Sequence, residues 1–463
     1  MPLDQMPIIP RPYSASSSPA PGLTTNPSRV RIETVVTITP SGRCRWQPGP
    51  NAVPRVGPGQ ERTARMNGRE RVGMAMRHQI PDRVPVMCQL ALGHYFLNTG
   101  LPPHRIWFTS EGFAEALVML QRRYRFDGIL VNIPGRPAGL LNEVEAIEET
   151  RDGQQLTWRD QSMTVIPWDD NPYHLMPDGS KPPRADFETI DPDHLEDLDL
   201  VTGYIWGVYH ISRLEDKPMP GPLSEVPPHF FRTIDLVRAQ VGGDVSVHGE
   251  VYSPFTHFVE LIGYENALVS LLSDPEKAHA LLDRLTLASV TWGVGQAEHG
   301  VDAVLMSSAF AGGPFLSPRM YRQFVLPYER RVTGAIKATG VPVYTHTCGS
   351  IGDRLPLMVE TATQGIDTLD PPPLGNTELA DAKALIGDRV FIKGNMNAVE
   401  LLAYQNPEQV IEHASERIRI GMPGGGYILS TACSVAPRVE PWKLELLAPL
   451  ADAIGRYDSK PKE

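Results

Sequence analysis

The sequence predicts an α/β protein of the (β/α)8 TIM-barrel class, with a β-rich insertion between strands 2 and 3 and a disordered N-terminal extension. Three observations lead there. From residue 67 onwards, short apolar runs that end in polar residues alternate with helix-length amphipathic stretches. Eight such runs can be counted, and their spacing is regular except at one place. Strands separated by helices imply a parallel sheet, and eight is the number that closes a barrel. A doubly wound open sheet is the alternative topology.

The eight candidate strands are 84–90 (VPVMCQL), 127–134 (DGILVNIP), 245–252 (VSVHGEVY), 301–308 (VDAVLMSS), 341–348 (VPVYTHTC), 365–371 (GIDTLDP), 389–396 (RVFIKGNM) and 426–433 (GYILSTAC). Stretches such as 274–299 and 318–339 supply the helices between them. The irregular gap follows the second strand. It holds an insertion at about 135–225, of which 143–168 alternates like an antiparallel hairpin or small meander, with a turn signal at Asp152-Gly153. The Pro- and Asp-rich run 169–195 reads as loop. Residues 1–65 are rich in Pro, Ser, Gly and Arg and lack a sustained period, so they read as disordered apart from the strand-like run Val30–Ile38. The barrel is expected over 66–460.

Bulk composition narrows the function. Apolar residues make up 41% and charged residues 21% of 463, the balance of a soluble globular protein, and the net charge is −11. Such a charge argues against nucleic acid or an anionic membrane as partner, because phosphate neutralisation needs clustered cations. No apolar run reaches the roughly 18 residues of a membrane helix, and no secretory signal is visible. Four cysteines are too few for a disulfide framework, which makes a reducing cytoplasm the expected compartment.

Two of those cysteines carry the chemistry. Side chains alternate across a strand, so in Val341-Pro-Val-Tyr-Thr-His-Thr-Cys348 the imidazole of His346 and the thiol of Cys348 share one side. Val341, Val343 and Thr345 take the other, towards the helices. The eighth run ends at Cys433, on the same carboxyl rim where barrel enzymes place their catalysts. Two thiols and one imidazole are a borderline-soft donor set that suits zinc. Asp367 and Asp370, at the end of the sixth run, each offer a carboxylate as fourth ligand. In the third run Glu250 and Tyr252 point into the barrel near its mouth. Glu250 is a candidate general base, further ligand or substrate anchor; the bland reading is a buried acid paired within the barrel. His248 lies a layer deeper and reads as structural, Tyr344 as packing beneath His346, and Cys88 as filler. Gly421–Gly426 and Gly312–Pro314 lack phosphate-loop context and read as turns. Asn395 and Asn397 either bind a ligand or tie down a loop.

These residues sit in a longer likeness. RERVGMAMRHQIPDRVPV (69–86), SPFTHFVELIGYENALVSLLSDPEKAHALL (253–282), SPRMYRQFVLPYERRV (317–332), YTHTCGSIGDRLPLMVETATQGIDTLD (344–370), FIKGNM (391–396) and STACSVAP (430–437) resemble the uroporphyrinogen decarboxylase superfamily. The H-x-C…C pattern is similar to that of its zinc-dependent, corrinoid-linked methyltransferases and of cobalamin-independent methionine synthase. The resemblance implies zinc at His346, Cys348 and Cys433, with Asp370 at the position of the synthases' carboxylate ligand. The decarboxylases carry an arginine loop after the first strand and an aspartate after the second. Here those places read CQLALGHYFLNTG and Asn132.

The expected activity is therefore methyl transfer between a small thiol, methoxy or methylamine compound and a corrinoid. No D-x-H-x-x-G run of a cobalamin module is present, so the methylcobalamin must ride on a separate corrinoid protein. Barrels of this superfamily also pair, which implies a homodimer. Two rival readings remain. One is a decarboxylase-like lyase on a tetrapyrrole or related carboxylic acid, which needs no metal. The other is a non-catalytic partner whose zinc is structural.

Overall fold

The computed structural model describes residues 34–38, 44–48, 66–182, 184–195, 226 and 228–457. Strands β1 (Thr34–Ile38) and β2 (Cys44–Pro48) pair antiparallel within a unit of their own. Strand β1 falls inside the strand-like run Val30–Ile38, whereas β2 lies in the part of 1–65 read as disordered, and that reading does not hold there. The other residues of that segment, and 196–225 of the insertion, lie outside the described residues.

The second unit is built on a curled parallel sheet of seven strands. These are β3 (Gly128–Val131), then, after the insertion, β8 (Ser246–Tyr252), β9 (Ala303–Ser307), β10 (Val343–Thr347), β11 (Gly365–Thr368), β12 (Phe391–Met396) and β13 (Tyr427–Thr431). They lie side by side in chain order. Each falls inside a run picked out from the sequence. The first run, 84–90, does not form a ladder strand, which corrects the count of eight to seven. Residues 84–90 instead make isolated bridges at Val86 and Leu90, pairing with Leu429 and Val435. Two features explain this. Pro85 brings no N–H, and the Val86 N–H goes to the Asp127 carboxylate (2.8 Å) rather than to a strand carbonyl. The segment still touches both edges of the sheet: Met87 N donates to Leu429 O at 3.0 Å, and Asp127 N to Val86 O at 2.8 Å.

Between β3 and β8 the chain forms a four-stranded antiparallel meander, β4 (Val144–Glu149), β5 (Gly153–Trp158), β6 (Met163–Pro167) and β7 (Tyr173–Leu175). Strand β7 lies in the run 169–195, read from sequence as loop, so that reading is corrected there. Three residues are too few to show a period.

Alternation along the parallel strands creates two separate cores. Ala303 and Leu305 of β9, Tyr344 of β10, Phe391 of β12 and Ile428 of β13 pack together inside the curl. Val304, Met306, Val343, Ile392 and Leu429, of opposite parity, pack against the helices. The inner core is closed at the amino-terminal end by Val72, Ala75 and Met76 of the helix Gly68–Met76. That helix starts from a reciprocal cap, in which the Asn67 side chain accepts from Glu70 N and the Glu70 side chain from Asn67 N. The stretch 318–339 is two helices, Pro318–Phe324 and Leu326–Ala338, broken at Val325 just ahead of Pro327. Among the described residues no helix is long and apolar enough to cross a membrane.

Candidate metal centre

His346 occupies the penultimate place of β10 and Cys348 follows two residues later, so both inherit the inward parity of Tyr344. Gly349, at φ +75°, then turns the chain away. Cys433 follows β13, and its loop is held from several sides. Thr431 Oγ1 donates to Cys433 O at 2.6 Å, Val435 N to Gln89 O at 2.8 Å, and His94 Nδ1 to Pro437 O at 3.1 Å. One donor atom from each of His346, Cys348 and Cys433 lies within 4.8 Å of the other two. His346 Nε2 lies 3.4 Å from Cys348 Sγ. A nitrogen and a sulfur sharing one tetrahedral zinc stand about 3.5 Å apart. The three groups therefore fit the ion by spacing and by chemistry.

Asp367 and Asp370 do different work. Asp367 Oδ2 receives His346 Nδ1 at 3.1 Å, and Oδ1 receives Lys393 Nζ at 3.0 Å. Asp370 Oδ2 receives Gly349 N at 2.7 Å, and Asp370 stands outside the three-donor cluster. Between them Thr368 and Leu369 have φ of +82° and +60°. For a β-branched residue that conformation is strained, at a cost on the order of 1–3 kcal/mol. Asn395 Nδ2 clamps the kink by donating to Leu369 O (2.8 Å) and Thr377 O (3.3 Å). Asn397 caps the helix Ala398–Ala403. Both asparagines tie down backbone.

Burial and neighbours set the charges. Burial works to lower the basicity of His346, but the hydrogen bonds to Asp367 and Cys433 outweigh it and lift its pKa to about 10. Burial would raise Asp367; Lys393 and His346 instead bring it down to about 2. Cys433 is held well below the usual thiol range by its hydrogen bond from Cys348, against burial. Cys348 is pushed up by that same bond and by burial. Burial raises Asp370 to about 6. Without an ion, the site is thus an imidazolium beside one thiolate and one thiol.

Glu250 and Tyr252 sit on β8, both buried, with Tyr252 opposite Ser307 and Ser307 opposite His346 across the ladders. Among the described residues, Glu250 Oε2, the Tyr252 hydroxyl and His257 Nε2 find no hydrogen-bond partner. Burial carries the Glu250 carboxyl up to about 7 against the pull of His346. Below them His248 Nδ1 lies 2.9 Å from the Tyr344 hydroxyl and Nε2 3.0 Å from Ser246 Oγ. Lys393 went unnoticed in the sequence. Its signal is a cation at the centre of the strand FIKGNM, where burial demands a carboxylate.

A curled parallel sheet with a thiol-and-imidazole cluster at its carboxyl end defines an α/β protein equipped to hold a borderline-soft metal ion. The family follows from comparison: residues 205–454, more than half of the chain, match the model described as uroporphyrinogen decarboxylase (URO-D), and the chain belongs to that family. A methylated-thiol–coenzyme M methyltransferase from Methanosarcina mazei is 30% identical over 226 residues, 48% of this chain and 58% of that one. A uroporphyrinogen decarboxylase from Alkalilimnicola ehrlichii is 28% identical over 238 residues, 49% of this chain and 62% of its own. The chain thus spans about three fifths of the length of these relatives. A solved methyltransferase from Methanosarcina mazei shares the fold, at TM-score 0.57 and 17% identity, over 84% of this chain and 98% of its own.

Proposed function

We propose that the protein is a zinc-dependent methyltransferase that moves a methyl group between a small thiol, methoxy or methylamine compound and a corrinoid carried on a separate protein. The observation behind this reading is the convergence of His346, Cys348 and Cys433 within 4.8 Å, from strand ends far apart in sequence. The similarity to a methyltransferase whose name includes a methylated thiol supports a thiol as one substrate.

In this reading His346, Cys348 and Cys433 hold zinc, with Asp370 as fourth ligand. Zinc there supplies a Lewis acid that favours the anion of an incoming thiol or hydroxyl. Glu250 takes the proton such a group gives up, for which a carboxyl with pKa about 7 is suited. The Tyr252 hydroxyl anchors a polar atom of the substrate, satisfying a group otherwise buried without a partner.

The test is metal analysis of the purified chain with a methyl-transfer assay from methylcobalamin to a thiol. About one zinc per chain is expected, lost together with activity in Cys433→Ala. A metal-free, fully folded wild type would refute the proposal and favour the decarboxylase-like alternative.

A further inference from the structure

Lys393 is only 1% exposed, yet it carries an ammonium into the interior of the curled sheet. Removing such a charge from water costs several kcal/mol unless a carboxylate of fixed geometry receives it. Asp367 does so. Its Oδ1 takes Lys393 Nζ at 3.0 Å and Thr368 N at 2.9 Å, which leaves Oδ2 for His346 Nδ1 at 3.1 Å. The ladders put the three residues level, His346 opposite Asp367 between β10 and β11, and Asp367 opposite Lys393 between β11 and β12. Three adjacent strands thus contribute one residue each to a row whose far end is His346 Nε2, 3.4 Å from Cys348 Sγ.

A lysine present only to stabilise the fold could pair with a carboxylate anywhere. This one pairs with the carboxylate that faces the ring nitrogen directed away from the two sulfurs. An imidazole that donates from Nδ1 has its Nε2 left for a metal, and its ring plane is set by the acceptor. We infer that Lys393 is a positioning residue for the metal centre. By gripping Oδ1 it holds Asp367 in the one orientation that presents His346 as an Nε2 ligand. The inference rests on the zinc reading above and deepens it, because it extends the centre to β12, a strand that carries none of the three donors.

Two variants of the full chain test it. Lys393→Met keeps length and removes the charge; Lys393→Arg keeps both the charge and the donor. Two readouts are taken. One is zinc affinity, by competition with a chromogenic chelator. The other is the hydrogen-bonded Nδ1–H proton of His346, observed in proton–nitrogen spectra of histidine-labelled, metal-free protein and assigned with Asp367→Asn. Lys393→Met is expected to shift or broaden that resonance and to lower zinc affinity about 10–100-fold. Lys393→Arg should recover most of both, and Lys393→Met combined with Asp367→Asn should lose no more affinity than the weaker single variant. A lost cavity-filler would lower the melting temperature without moving the resonance. An unchanged His346 resonance in Lys393→Met overturns the inference whatever the zinc result. A wild type that shows the resonance but binds no zinc removes the zinc reading alone, and the resonance then decides the role of Lys393.

Discussion

Asp370 holds Gly349: its Oδ2 accepts the glycine N–H at 2.7 Å, so the carboxylate beyond β11 fixes the turn directly after Cys348. Asp370→Asn and Asp370→Ala separate tethering from ligation. Asparagine can still accept the Gly349 N–H but is a poor zinc ligand. If Asp370 is the fourth ligand, both variants should lose zinc affinity, about tenfold or more. Wild-type affinity in Asp370→Asn, measured by chelator competition, would reduce the residue to a tether.

Zinc uptake should release protons. Below pH 9 the free site keeps one proton on His346, whose pKa is about 10, and one on the raised thiol of Cys348. Coordination removes both, so affinity should climb as pH rises, by about 100-fold per pH unit between 6 and 8. Titration calorimetry in buffers of different ionisation enthalpy counts the protons directly. A pH-independent affinity would contradict this protonation scheme.

Gly312 is pressed against the site. A Cβ there would lie 2.3 Å from the Cys348 carbonyl oxygen, a backbone atom that cannot swing away. Gly312→Ala should cost about 1–3 kcal/mol in stability and weaken zinc binding with it. Gly334, inside the helix Leu326–Ala338, meets nothing within 4 Å. There the same substitution should stabilise, by about 0.5–1 kcal/mol. Chemical denaturation of the two variants reads both signs, and equal effects would discard the contrast.

His94 ties acid stability to the Cys433 loop. It is fully buried, donates from Nδ1 to Pro437 O and accepts at Nε2 from the Tyr124 hydroxyl at 2.7 Å. Burial lowers its pKa from 6.5 to about 4. Between those values the unfolded chain binds a proton that the folded chain refuses, so stability is lost as pH falls from 6.5 to 4. The slope is up to about 1.4 kcal/mol per pH unit. His94→Gln should remove that contribution from a plot of unfolding free energy against pH. An unaltered slope would show that His94 does not titrate on unfolding.

The strands and the grouping of His346 with Cys348 were legible in the sequence because both follow alternation. A period of two separates Val343 from Tyr344 and puts His346 with Cys348. The first run was misread because apolar content marks 84–90 as a strand whether or not its amides reach a ladder. Pro85 is visible in the run, but Asp127, which takes the Val86 N–H, lies 41 residues on and leaves no local pattern. Likewise, spacing made Asp367 and Asp370 interchangeable. What separates them is the left-handed pair Thr368–Leu369, which turns one carboxylate to an imidazole and the other to a backbone amide. Neither residue is glycine, so nothing in the letters announces that kink. Lys393 was readable in principle from its parity, but its partner lies one strand away.

The helix Gly68–Met76 stoppers the curl of strands from below, with Val72, Ala75 and Met76 in its throat. A reactant that reaches the two sulfurs is then expected from the upper rim. In the proposed methyl transfer the two reactants would share that rim and take it in turn. Steady-state kinetics of the two reactants would therefore report on architecture: competition between them is what a shared entrance imposes.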